Sequence, residues 1–127
     1  QCHTDVDYVT GRVSQVQEQV FTTKQNSEDA LIDAITAIQA ASAKSGSYPG
    51  LLEDARTLHR HAQFMWDFVS AENSMGFHNP EYALSILANV TDLARQAQMK
   101  AAQAAVDPSL LTVGVYYSID PVPTPVP

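Results

Sequence analysis

Hydrophobic positions along most of this chain recur every three or four residues, the spacing of a helical face. Val6, Val9, Val13, Val16 and Val20 step by three and four in turn, and between positions 5 and 45 Gly11 is the one Gly or Pro. The stripe fades through Thr22, Thr23, Lys24, Gln25, Asn26 and Ser27, then resumes at Leu31, Ile35 and Ile38. These positions predict one helix over 5–45, about 60 Å long at ~1.5 Å per residue. Val and Thr are indifferent helix formers, so packing rather than propensity has to stabilise it.

Ser45-Gly46-Ser47-Tyr48-Pro49-Gly50 breaks the pattern, with Gly46 suited to cap the first helix and Pro49 barring its continuation. A second helix is predicted over 51–72, burying Leu51, Ala55, Leu58, Ala62, Met65, Trp66 and Val69. Asn79-Pro80-Glu81 is a helix start, with a side-chain cap, a proline at the first position and an acid in the first turn. The third helix is predicted over 80–106 on Ala83, Leu84, Leu87, Val90, Leu93, Ala94 and Ala97, and Pro108 ends it. Beyond it, 113–119 has β-like composition without a pairing partner, and the alternating prolines of 120–127 predict an extended, polyproline-like segment. No internal repeat is visible. The expected fold class is all-α: long antiparallel helices over 1–107, three in number with the first longest, and an irregular Pro-rich tail over 108–127.

Composition narrows the function classes. The chain has 127 residues, 45% hydrophobic and 17% charged, which fits one domain with a real core. Fourteen acidic residues against seven basic ones give a net charge of -7, a poor balance for nucleic acid, whose counterions are displaced by clustered Lys and Arg. No apolar stretch approaches the ~20 residues of a membrane span. A single cysteine, Cys2, builds no disulfide framework. With neither an initiator Met nor a leader, the chain reads as a soluble piece of something longer.

Four groups of side chains could carry chemistry. Gln1-Cys2-His3 ends as a Cys-x-x-Cys-His haem c motif ends, where cysteines form thioethers and the adjacent imidazole reaches iron. The dipeptide alone is equally compatible with accident. His78, within Gly76-Phe77-His78-Asn79-Pro80, is either a locally hydrogen-bonded loop residue or a metal ligand aimed outward from a loop that the Asn79 cap rigidifies. His59 and His61 point about 160° apart on a helix and cannot share a metal, so with Arg56 and Arg60 they read as a solvated basic flank. Phe64, Trp66 and Phe68 read as core packing, with haem-edge packing as the sharper alternative. Glu53 and Asp54 lie on a helix surface with no apolar wall to raise a pKa. No Gly-rich phosphate loop, no Ser/His/Asp arrangement and no complete active site is visible.

The run from Ala62-Gln63-Phe64-Met65-Trp66-Asp67-Phe68 through Met75-Gly76-Phe77-His78-Asn79-Pro80, with Ala83-Leu84 and the opening Cys2-His3 before a long helix, resembles the carboxy-terminal part of the ammonia-forming cytochrome c nitrite reductases. The resemblance covers roughly 1–107. It implies a periplasmic homodimer with five c-type haems per subunit that reduces nitrite to ammonium by six electrons. It implies that Cys2 is the second thioether cysteine of the last haem motif and His3 that haem's proximal ligand. By the same resemblance His78 is the distal ligand of the preceding haem, and the long helices pack across the dimer interface. The first cysteine of the motif, the lysine-ligated catalytic haem, the substrate-contacting residues and the calcium site are all expected upstream of this chain. The tail after Asp107 does not match the family pattern.

The main reading is therefore the haem-ligating, dimerising helical part of such a reductase, inactive by itself. Its partners would be the remainder of the reductase, a second copy, and a periplasmic or membrane-bound electron donor. A haem-free helical dimerisation module, needing only the valine stripe, is the rival from another class. The equivalent part of a hydroxylamine-oxidising or octahaem enzyme is a third.

Overall fold

The computed structural model describes residues 5–44 and 47–106. Three helices follow one another: α1 (Val6–Ser42), α2 (Pro49–Ser70) and α3 (Pro80–Ala104). Helix α3 packs about equally on α1 and α2, which touch one another far less. The molecule is thus built around its last helix, and no strand occurs among the described residues.

The sequence of α3 explains that central position. Its buried Ala83, Leu87, Val90, Ala94, Ala97, Ala101 and Ala104 follow steps of four and three, a heptad seam on which alanine predominates. Small side chains let neighbouring helices approach closely, and both neighbours answer in kind. Helix α1 buries Ser27, Ala30, Ala34 and Ala41, and α2 buries Ala55 and Ala62. The apparent fading of the α1 stripe near Ser27 is therefore a change in residue size, not a loss of contact. Ser27 is fully buried, and its hydroxyl is satisfied by donating to the Lys24 carbonyl at 2.7 Å.

Larger residues fill the ends of the seam. Val20, Leu31, Val69, Ile86, Leu87 and Val90 belong to one cluster, against which Leu58, Met65, Trp66, Leu84 and Leu93 pack partly buried. Ile38, Leu52, Ala55 and Ala101 belong to the other. Trp66 ties α2 to α1: its indole N–H donates to the Lys24 carbonyl at 3.2 Å, and the Lys24 ammonium lies 4.7 Å from the ring centre.

Several boundaries and faces differ from expectation. Helix α1 stops at Ser42, not 45, with the Ala43 amide donating back to the Gln39 carbonyl and the Lys44 amide to the Ala41 carbonyl; Gly46 lies outside the described residues. Helix α2 starts at Pro49, because a proline in the first turn forfeits no hydrogen bond, and Leu52 rather than Leu51 is buried. It ends at Ser70, not 72, and α3 ends at Ala104, not 106. Phe64 and Phe68 are 69% and 54% exposed, so only Trp66 of the aromatic trio joins the core. Residues two apart on a helix cannot share its buried face. The expectations for 113–119 and 120–127 fall outside the described residues.

The longest helix overhangs its partners. At ~1.5 Å per residue α1 spans about 55 Å and α3 about 37 Å. The loop between α2 and α3 meets α1 at Gln17, whose amide donates to the Ser74 carbonyl at 3.0 Å, and at Val20. Ahead of that point Val6 and Tyr8 are 70% and 66% exposed, while Val9, Val13 and Val16 are half-buried. Asp5 caps this end by accepting the Tyr8 amide at 2.9 Å.

Candidate functional site

Residues 71–79 form a loop whose backbone donors are met almost one by one. The Ala71 amide donates to the Asp67 carbonyl at 2.9 Å and the Glu72 amide to the Val69 carbonyl at 3.3 Å, closing α2. The Glu72 carboxylate then turns inward and accepts from the Ser74 amide at 2.9 Å, the Ser74 hydroxyl at 2.8 Å and the Gly76 amide at 2.8 Å. The chain can wrap a carboxylate in this way because Met75 and Gly76 are both left-handed, at φ 54° and 75°. The Ser74 and Gly76 amides then converge on one anion.

Three more donors are engaged. Phe77 donates to the Ser74 carbonyl and Asn79 to the Gly76 carbonyl, each at 3.2 Å, while the His78 amide donates to the Ser74 hydroxyl at 3.1 Å. Asn79 caps α3 by accepting the Tyr82 amide at 3.2 Å. Gly76 is buried against α1 and α3, where a Cβ would meet Val20 Cγ2 at 2.8 Å and the Ala83 Cβ at 3.2 Å. The backbone of His78 is thereby held from both sides.

Its side chain is not. The His78 imidazole is 80% exposed, with Nδ1 3.5 Å from Glu72 Oε1. Beside it lies an apolar cleft of about 90 Å³ whose walls include Phe68, Val69, Tyr82 and Ile86. Phe68 and Tyr82 are themselves more than half exposed, so the imidazole stands at the edge of an apolar surface. The hydrogen bonds from Gly76 and Ser74 hold the Glu72 carboxyl at about 2 instead of the usual 4.5, with His78 adding a smaller effect. A negative charge is therefore fixed next to the ring.

The other candidates fare differently. Cys2 and His3 lie outside the described residues. His59 lines the cleft between α1 and α2 beside Ile35, whereas His61 faces solvent, so the two indeed point apart. Arg56 donates to the Ser42 hydroxyl at 3.0 Å, and Arg60 pairs with Glu53 at 3.1 Å. Asp54 faces Lys100 at 3.4 Å, an exposed pair of small energetic weight. Among the described residues no three His, Cys, Asp or Glu side chains converge as a metal site. An iron met by His78 would be carried mainly by other groups, and one exposed imidazole on a fixed backbone beside an apolar wall fits that role.

Glu72, Ser74 and Gly76 were not singled out from sequence as builders of the site. Their signal is the Glu-x-Ser-x-Gly spacing at a helix end, where an acid can fold back on the next amides.

Comparison with known proteins decides the family. The family model for cytochrome c552 matches residues 1–121, so the family match runs past Asp107, contrary to the expectation from sequence that the tail falls outside the family pattern. The chain belongs to the cytochrome c552 family. The cytochrome c nitrite reductase subunit NrfA of Nitratidesulfovibrio vulgaris, strain Hildenborough, is 39% identical over 103 residues, covering 76% of this chain and 20% of that protein. Cytochrome c-552 of Aliarcobacter butzleri is 40% identical over 58 residues, 46% of this chain and 12% of the relative. Among solved structures, the cytochrome c nitrite reductase of Desulfovibrio desulfuricans superposes with a TM-score of 0.77 at 34% identity, over 83% of this chain and 23% of that one. The chain thus spans between 12% and 23% of the lengths of these relatives. Family membership carries haem c with it as the cofactor class.

Proposed function

We propose that this chain is the helical, haem-ligating and dimerising part of a periplasmic multihaem nitrite reductase that converts nitrite to ammonium by six electrons. In this reading 1–107 form the helical unit and 108–127 a Pro-rich appendage. Cys2 supplies a thioether, His3 a proximal imidazole and His78 the distal imidazole of a neighbouring haem. Haem c, when bound, supplies a one-electron iron couple. His3 and His78 would each hold a different haem iron, the second imidazole of each coming from the remainder of the reductase, and a site filled in that way would serve electron transfer alone.

The observation that carries the proposal is the His78 loop: its backbone is locked by Glu72, Ser74 and Asn79 while its imidazole remains exposed beside an apolar wall. A purely structural loop histidine has no need of such a frame.

The overhang of α1 supports the dimer. Exposed Val6 continues the stripe of half-buried Val9, Val13 and Val16 beyond the hairpin, an apolar face that a second copy would cover. A haem-free dimerisation module would use the same surface, but it leaves the His78 frame without purpose.

The purified parent protein, given a low-potential electron donor, should convert nitrite to ammonium without releasing intermediates. Cys2→Ser should leave one haem held by a single thioether, seen as a shift of the pyridine haemochrome α band to longer wavelength. A parent that yields no ammonium, or a Cys2 variant with an unchanged haemochrome spectrum, would sink the reading.

A further inference from the structure

The Glu72 carboxylate has a use that loop closure does not exhaust. An ionised carboxylate offers about four lone-pair sites. The loop occupies three of them: Oε2 takes the Gly76 amide and the Ser74 hydroxyl, and Oε1 takes the Ser74 amide. The remaining capacity of Oε1 faces His78 Nδ1 at 3.5 Å, just beyond the usual N–H···O range of about 2.7–3.2 Å. A small rotation of an 80% exposed ring closes that gap. The anion itself cannot move to meet it, because three loop donors hold it.

We propose that Glu72 is the positioning residue of His78, accepting its Nδ1–H and so presenting Nε2 to the haem iron. The inference rests on the reading of His78 as an iron ligand. Imidazoles that bind metals donate their second N–H to a partner that fixes tautomer and ring orientation and raises basicity. Here the partner is a full carboxylate, so the ring gains imidazolate character and stabilises the ferric state. Ser74 links the two residues mechanically, donating its hydroxyl to Glu72 while accepting the His78 amide. The loop therefore sets where His78 stands, and the charge at its centre sets which nitrogen faces outward and how strongly it donates.

The test uses the parent holoenzyme. His78→Ala identifies the haem concerned as the one that turns high-spin in low-temperature EPR; if none does, the underlying reading of His78 fails, whatever Glu72 does. With that haem identified, Glu72→Gln should shift its ferric/ferrous equilibrium about tenfold toward ferrous, equivalent to ~59 mV for a one-electron couple. Ser74→Ala removes loop hydrogen bonds without removing the charge and should shift the potential by less than Glu72→Gln does. An unchanged potential in Glu72→Gln, or an equal shift in Ser74→Ala, reduces Glu72 to a loop brace and overturns the inference. Should Glu72→Gln yield no holoprotein, proton ENDOR of the wild-type haem decides: a strongly hydrogen-bonded imidazole N–H is expected, and a weakly bonded, freely exchanging one contradicts the proposal.

Discussion

Gly76 lies so close to Val20 that a Cβ on residue 76 would sit 2.8 Å from a valine methyl. This contact between the α2–α3 loop and α1 sets the height at which the His78 loop stands on the long helix. It also demands glycine twice over, because residue 76 has φ 75° as well as no room.

Gly76→Ala should therefore cost about 1–3 kcal/mol, combining left-handed strain with a clash. Adding Val20→Ala relieves the clash and leaves the strain, so the double variant should lose less than the two single losses combined. Urea midpoints of the four proteins check this; strict additivity would mean that the two side chains do not meet.

Acid should unfold the chain partly through Glu72. Its carboxyl is held at about 2 in the fold against 4.5 ordinarily, first by the Gly76 amide and then by Ser74. A carboxyl depressed in the native state adds stability that is complete above 4.5 and is lost as pH falls toward about 2. Glu72→Gln should be less stable at neutral pH and show a flatter decline across that window. Parallel acid limbs in wild type and variant would contradict the assignment.

The alanine seam of α3 makes a third prediction. Ala97 is fully buried between close-packed helices, so Ala97→Leu should overpack the core and cost about 1–3 kcal/mol. Ala102→Leu, on the exposed face of the same helix, should change stability by less than about 0.5 kcal/mol. Equal denaturation midpoints for the two would place the seam elsewhere.

Helix number, order and approximate length were legible in the sequence because the 3–4 periodicity, Asn79-Pro80 and Pro49 are local signals. The central role of α3 was not. Alanine and serine are ambiguous in a hydrophobic pattern, so Ser27 read as part of a fading stripe and Ala30 and Ala34 carried no signal, although all three line the seam. His78 was legible as a candidate through its context. Its frame depends on Glu72 folding back onto Gly76 through two left-handed residues, one of them Met75, and a methionine gives no sign of a positive φ.

The exposed start of α1 carries the fourth prediction. Val13→Glu with Val16→Glu should convert a dimeric chain to monomers in analytical ultracentrifugation, since both positions lie on the overhanging part of the valine stripe. A wild-type chain that is monomeric at high concentration would remove the dimer from the account.

The central claim is that the loop between α2 and α3 exists to deliver the His78 imidazole to a haem iron. Low-temperature EPR of the parent holoenzyme carrying His78→Ala tests it most directly. The account predicts that one low-spin bis-histidine haem becomes high-spin, its open position taken by water, with the remaining haems unchanged. Nitrite turnover falls through slower electron delivery while nitrite binding is kept. A spectrum in which every low-spin haem of the wild type survives intact would contradict it.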